Sequence, residues 1–172
     1  VSLPDSLAEN FLVTLLLWEG GPDSLRTSAM FGNATKIRED TRDLILKIPV
    51  LAKHALPWLI SALDDIEVTS DATTEYFYVL KQLVEVGEDA KNKAVTVSAS
   101  GADLQAIGTA VCKKLASCPR PTNDSTLVDF STGVLCGCLR LLKAIIETGG
   151  SHALKTGTNI LLNDLKIARW SL

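Results

Sequence analysis

The chain has 172 residues, of which 47% are hydrophobic, 22% charged and 5% aromatic, and its formal net charge is −3. This length suits one domain with a substantial core, and so much apolar sequence excludes intrinsic disorder. The negative charge gives no electrostatic support to non-specific nucleic-acid binding, and four cysteines are too few for a disulfide scaffold.

The first residues raise the question of a secretory or membrane segment. The chain begins at Val1 rather than methionine, so we expect a fragment of a longer chain or a processed product. The apolar run from Phe11 to Trp18 is too short to span a bilayer, and no lysine or arginine precedes it as in a signal peptide. We therefore expect no membrane interaction, a cytoplasmic or nuclear location, and reduced thiols.

Helical spacing is evident from the start of the chain. Apolar residues at steps of three and four predict a first helix whose buried face is Leu7, Phe11, Leu15 and Trp18. The Gly-Gly-Pro sequence at 20–22 is expected to end this helix. Residues 20–34 are predicted to form a loop with one short turn near 25–30.

Two further helices are predicted on either side of Pro49, which stops or kinks a helix because proline lacks an amide hydrogen. On the second helix the predicted buried face is Ile37, Thr41, Leu44, Ile45 and Ile48. The third covers the apolar stretch 50–66. Pro57 lies inside that stretch, so it forms either one kinked helix or two short ones.

The clearest amphipathic pattern covers residues 73–86 and predicts a fourth helix with one apolar side: Tyr76, Leu80, Leu83 and Val84. Gly87 is placed to end this helix. Ser100 and Asp103 then resemble a capping box, with aspartate in place of the usual glutamate. They start a helix whose predicted buried face is Leu104, Ile107, Val111 and Leu115.

The last part of the chain is also predicted to be helical. After a proline-rich loop at 118–122, the longest helix runs from Asp124 or Ser125 to about Thr148. A final helix is predicted from Thr158 to Arg169. Because no segment alternates apolar and polar residues over a sustained length, no sheet is predicted.

A short helix, a glycine turn and a longer helix occur around residues 92–115 and again around 152–162. The turn Ser100-Gly101-Ala102 resembles the small-residue turn of the armadillo repeat, in which one helix folds back along the next. We therefore predict a single all-α domain over residues 1–172. Its expected architecture is a right-handed α-solenoid of the armadillo/HEAT type with about seven or eight helices.

Gly133 and Gly137 lie one turn apart on the same face of the longest predicted helix. Two glycines inside a helix cost about 2 kcal/mol of helix propensity, and close approach of a neighbouring helix would offset that cost. We expect the helix over 103–115 or the helix over 158–169 to cross at these two helix-packing residues.

The cysteines and histidines are the candidate metal-binding and catalytic residues of this sequence. Cys136 and Cys138 lie about 200° apart on a helix, which suits packed core residues better than zinc ligands. A pair of Cys112 or Cys118 with a histidine lacks an activating group other than two neighbouring lysines. No glycine-rich segment has the spacing of a phosphate loop. We therefore predict no catalytic residue, no metal site and no cofactor.

Five of the basic residues in the second half of the chain form the only basic cluster that the sequence predicts: Lys113, Lys114, Arg120, Arg140 and Lys143. Few aromatic residues are interleaved with them, so stacking on single-stranded nucleic acid has little support. We predict instead that this cluster contacts a peptide or an acidic protein. Trp170, near the end of the chain, is a further candidate for partner binding.

Residues 74–84 read TEYFYVLKQLV, and this helix resembles one in very large ubiquitin-specific proteases of the fat-facets type, in the helical region upstream of their catalytic domain. The layout that follows is similar: a glycine-turn helix, a proline-rich loop and a leucine-rich helix over 129–142. The resemblance covers residues 70–148. It implies an armadillo-like scaffold that belongs to the ubiquitin pathway.

The catalytic domain of that family carries a cysteine box of the form Asn-x-Gly-x-x-Cys-Tyr and a distant histidine box, and neither occurs in this sequence. The resemblance therefore implies a non-catalytic segment of a deubiquitinating thiol protease. Its expected partners are ubiquitin-pathway substrates or the catalytic domain of the same chain. The alternative is a stand-alone helical interaction module or adaptor in an unrelated pathway.

Overall fold

The computed structural model describes residues 5–19, 28–66, 73–85, 99–117 and 133–149. These ranges contain six helices: α1 (Asp5–Leu16), α2 (Ser28–Lys47), α3 (Pro49–Asp65), α4 (Thr74–Val84), α5 (Gly101–Ser117) and α6 (Val134–Gly149). No strand occurs in these ranges, so the all-α prediction is confirmed. The number of helices in them is lower than the predicted seven or eight. The predicted last helix, 158–169, lies outside the described residues.

The loop predicted over residues 20–34 is wrong in its second half, because α2 already begins at Ser28. Gly32 and Asn33, which have low helix propensity, both lie within the helix. Ala34 is 1% exposed, so this part of α2 is packed against the rest of the protein. Tertiary packing here outweighs the weak helix propensity of the local sequence.

The junction between α2 and α3 is set by Pro49. Ile48 has an extended backbone (φ −115°, ψ 100°), and Pro49 occupies the first turn of α3, where its missing amide hydrogen leaves no bond unmade. The two helices are bent by 117° relative to each other. α3 then continues as one helix through Pro57, so the alternative of two short helices is excluded.

The helices contact one another in two rows. α1 contacts α3 and α3 contacts α5, while α2 contacts α4 and α4 contacts α6. The rows face each other through α1 with α2, α2 with α3, and α5 with α6. One continuous core of buried side chains runs between them and includes residues from all six helices. α6 therefore closes the described fold by packing on both α4 and α5.

The sequence predicted the buried faces of α4 and α5 correctly. The predicted apolar residues of both helices are all buried: Tyr76, Leu80, Leu83, Val84, Leu104, Ile107, Val111 and Leu115. On α6, the apolar residues Val134, Leu141 and Ile145 are buried as well.

The predicted faces of α1 and α2 are partly wrong. On α1, Val13 and Leu16 are buried, whereas Phe11 is 60% exposed. On α2, Ile45 is buried as predicted, but Leu44 is 43% exposed. Ile37, Ile48 and Trp18 are also more than one-third exposed. The periodicity of α1 points to the side that carries Phe11, whereas the helix packs through the side that carries Val13 and Leu16.

The capping box predicted before α5 is present. The backbone N–H and the hydroxyl of Ser100 donate to Asp103 Oδ2 at 2.9 and 2.7 Å, and the backbone N–H of Asp103 donates back to Ser100 Oγ at 3.2 Å. Beside it, the amide of Ala99 donates to the carbonyl oxygen of Leu83 at 2.8 Å. The start of α5 is thus tied to the end of α4.

Within the described ranges, no single helix has the length and apolar composition needed to cross a membrane. The bent pair Asn33–Lys47 and Pro49–Asp65 passes that test when the two helices are taken together, on length and composition alone.

Candidate functional site

Gly137 allows α4 and α6 to approach closely. The ring of Phe77 on α4 lies in the space that a β-carbon at position 137 would occupy, with Phe77 Cε2 only 2.7 Å from that point. The amide of Gly137 donates to the carbonyl oxygen of Gly133 at 3.1 Å, so the two glycines are one turn apart as predicted. The helix that reaches Gly137 is α4, whereas the sequence pointed to α5 or to residues 158–169.

Phe77 is held in place from its other side. Its ring meets the ring of Tyr76 edge to face, with centroids 5.2 Å apart and planes at 84°. Tyr76 is fully buried, and its hydroxyl donates to the carbonyl oxygen of Leu59 on α3. This hydrogen bond and this ring contact, together with the contact of Phe77 with Gly137, connect α3, α4 and α6.

Beside this contact, α4 and α6 leave an open cleft of about 390 Å³. Among the residues that the structure describes, those that line it come from these two helices: Thr74, Phe77, Tyr78, Lys81, Gly137, Arg140 and Leu141. Phe77 and Leu141 are buried and form an apolar floor. A volume of this size falls within the range of ligand pockets, about 300–1,000 Å³.

Tyr78 forms an aromatic wall of the cleft and is 47% exposed. The guanidinium carbon of Arg42 on α2 lies 5.5 Å from the centroid of the Tyr78 ring, which is cation–π geometry. Arg42 is itself oriented by Asp43, whose Oδ1 accepts hydrogen bonds from Nε and Nη2 at 3.0 and 2.9 Å. The ring is therefore positioned before any ligand arrives.

Two cations line the cleft, Lys81 from α4 and Arg140 from α6. Lys81 Nζ lies 3.1 Å from Glu85 Oε1, one turn further along α4. Arg140 is exposed and forms no ion pair within the described residues. None of the seven lining residues is acidic. The cleft therefore combines an aromatic surface with positive charge.

The structure separates the basic residues that the sequence grouped together. Lys113 Nζ lies 2.8 Å from Asp64 Oδ2, and Lys114 Nζ donates to the Asp64 carbonyl oxygen at 3.1 Å, so both lysines join α5 to the end of α3. Lys114 is buried. Lys143 is paired with Glu147 on α6 at 3.6 Å. Of the four residues of this basic cluster that the structure describes, only Arg140 lines the α4–α6 cleft. Arg120 and Trp170 lie outside the described residues.

Cys112, Cys136 and Cys138, the cysteines within the described ranges, form no disulfide bond there. Cys112 and Cys138 are fully buried, and Cys136 is partly exposed. Burial raises the pKa of the Cys112 thiol to about 11, which disfavours the thiolate needed for nucleophilic attack or metal binding. No group of three potential metal ligands occurs in the part of the chain that the structure describes. Cys118 lies outside it.

Arg38 is a structurally important residue that the sequence pattern did not identify. Its Nη1 donates to the carbonyl oxygen of Trp18 at 2.7 Å, and its Nη2 donates to Thr35 Oγ1 at 3.2 Å. Its Nε lies 3.4 Å from Glu75 Oε2, and the two side chains are only 13% and 11% exposed. Arg38 thus links the end of α1, α2 and the start of α4. Position 38 lies on the same helical face as Ala34 and Ile45, and a charged residue on such a face is the signal that could have identified it.

Comparison of this chain with protein-family models, curated proteins and solved structures found no match.

Proposed function

We propose that this chain is a non-catalytic helical scaffold that binds a protein partner in the cleft between α4 and α6. The observation that carries this proposal is the convergence of exposed Tyr78, buried Phe77 and exposed Arg140 in one open cleft. Tyrosine and arginine are the residue types that contribute most to protein–protein binding energy. A ring already positioned by Arg42 loses little conformational freedom when a partner binds.

We also propose that the two rows of helices belong to a right-handed α-solenoid of the armadillo/HEAT type. Contacts between every second helix, α1 to α3 to α5 and α2 to α4 to α6, support this architecture, because stacked helix pairs contact their neighbours in this way. Solenoids present elongated surfaces to other proteins, which fits a scaffold.

The wider setting that we propose is a large ubiquitin-specific protease, in which this scaffold positions substrates or adaptors for the catalytic domain. The support is the resemblance of residues 74–84 to the helical region of that family. The same helix supplies Phe77, Tyr78 and Lys81 to the cleft. Sequencing of the parent messenger RNA beyond the codon for Leu172 tests this setting. A cysteine box and a distant histidine box are expected there, and a complete parent protein without them contradicts it.

Binding by the cleft is tested by selection of a phage-displayed library of random dodecapeptides on the immobilised chain. We expect selected peptides to lose about tenfold or more in affinity for Tyr78→Ala, because the aromatic wall is removed. Leu139→Ala is the matched control, since Leu139 is also 47% exposed but lies outside the cleft lining. Circular dichroism verifies that both variants are folded. Failure to select any peptide, or equal affinity for wild type and Tyr78→Ala, contradicts the proposal.

A further inference from the structure

The charge of the α4–α6 cleft is opposite to that of the whole chain. The protein carries a formal net charge of −3, whereas the seven described residues that line the cleft include Lys81 and Arg140 and no carboxylate. A ligand that enters the cleft therefore meets positive charge. Such a local reversal of sign selects a ligand with negative groups.

The two cations differ in the ion pairs that they form within the described residues. Lys81 has a carboxylate partner in Glu85, but this pair is solvent-exposed, with side chains 43% and 35% exposed, and such pairs are weak. Arg140 has no ion pair in the described ranges, while Lys143 on the same helix is paired with Glu147. A planar guanidinium such as that of Arg140 is suited to bidentate binding of a carboxylate.

The cleft also has an apolar component. Phe77 and Leu141 form the floor, and Gly137 contributes no side chain, so the helix backbone of α6 is accessible beside the Phe77 ring. Tyr78 supplies a half-exposed ring at the side. A ligand with only negative charge would leave this apolar surface uncovered, which favours a ligand that has an apolar side chain next to its carboxylates.

We propose, as a development of the function proposed above, that the occupant of the cleft is an acidic peptide segment with an apolar anchor. Its carboxylates bind Arg140 and Lys81, and its apolar side chain packs against Phe77, Tyr78 and Leu141. A nucleic acid is disfavoured because a polyanion meets the net negative charge of the rest of the protein.

The test uses peptides selected from the random dodecapeptide library, measured by fluorescence polarisation at physiological ionic strength. We expect enrichment of aspartate and glutamate next to an aromatic or aliphatic residue. Replacing the acidic residues of a selected peptide by their amides should weaken binding about tenfold or more. Arg140→Gln should have a similar effect. Lys143→Gln is the matched control on α6, since Lys143 lies outside the cleft, and it should leave binding unchanged.

The outcomes separate this inference from the broader function. Uncharged selected peptides, or binding that is sensitive to Tyr78→Ala but unchanged in Arg140→Gln, overturn the acidic-peptide inference and leave the cleft as a binding site. The absence of any selected peptide overturns both. A further outcome is a random-sequence RNA that binds the protein more tightly than the selected peptides do and loses affinity for the Arg140→Gln variant. That result overturns the choice of a peptide as the occupant.

Discussion

The ring of Phe77 on α4 lies directly against Gly137 on α6, where any β-carbon would overlap it. An ideal β-carbon at position 137 would lie 2.7 Å from Phe77 Cε2 and closer still to Cγ and Cδ2. Real β-carbons essentially never come this close to another heavy atom. The glycine therefore sets the separation of the two helices that form the cleft.

Substitution of Gly137 should consequently destabilise the protein. Gly137→Leu is expected to lower the free energy of unfolding by about 1–3 kcal/mol, because overpacking against Phe77 exceeds the gain in helix propensity. Urea unfolding followed by circular dichroism measures this change. Gly101→Ala is the control: apart from its own helix and chain neighbours, no heavy atom of the described residues lies within 4 Å of the added β-carbon, so it should be neutral or stabilising. A neutral Gly137→Leu would show that α4 and α6 do not meet there.

Arg38 should contribute more to stability than the exposed ion pairs of the same helix. Arg38→Met is expected to cost about 1.5–3 kcal/mol, because it removes hydrogen bonds to Trp18 and Thr35 and leaves the poorly exposed carboxylate of Glu75 without its cation. Chemical denaturation measures the loss. Lys36→Met breaks the exposed pair of Lys36 with Asp40 on α2 and should have no measurable effect. Equal effects of the two substitutions would contradict this account.

The capping box at the start of α5 should also be measurable. Ser100→Ala is expected to destabilise the protein by about 0.5–2 kcal/mol, because the amide of Asp103 loses its acceptor. Asp103→Ala should have a similar effect, since Asp103 accepts from Ser100. Asp103→Glu restores the usual form of the box and should retain most of the stability. Thermal unfolding measures the stability of the three variants. If Asp103→Glu is no more stable than the two alanine variants, the hydrogen bonds of Ser100 and Asp103 do not act as a helix cap.

Stability should fall in alkaline solution. Burial raises the pKa of the Cys112 thiol to about 11 and the pKa of the Tyr76 hydroxyl well above its ordinary value of 10.0. Both groups stay protonated in the folded protein while the unfolded chain ionises at lower pH. Their contribution to the free energy of unfolding is therefore fully present below about pH 9. The part that comes from Cys112 is lost as the pH rises toward 11, and the part from Tyr76 as the pH rises through the raised pKa of its hydroxyl.

Urea midpoints measured between about pH 8 and pH 11 check this expectation, with a loss of about 1–3 kcal/mol from Cys112. Cys112→Ala should flatten the decline that begins near pH 9 even if it lowers stability at neutral pH. Tyr78→Phe is the control, because Tyr78 is 47% exposed. An unchanged pH profile in Cys112→Ala would mean that the thiol ionises as readily in the folded state as in the unfolded chain.

The amino-acid pattern alone was sufficient for the helices whose polar and apolar sides are clearly separated. α4 and α5 follow from spacing at three and four residues, and the Ser100–Asp103 box follows from local chemistry, since its hydrogen bonds join residues three apart. Pro49 marks the boundary of α2 and α3 for a similarly local reason: a missing amide hydrogen does not depend on distant parts of the chain.

Tertiary structure decided the rest. Phe11 is exposed and Val13 is buried because α1 contacts α2 and α3 through the side that carries Val13, which its own periodicity does not indicate. The glycine at position 137 indicated a close neighbour, but only the stacking of α4 on α6 brings Phe77 to it. The cleft arises from the same stacking, since Lys81 and Arg140 are far apart in sequence. Local patterns determine which residues form a helix; the packing of several helices determines which of their faces meet.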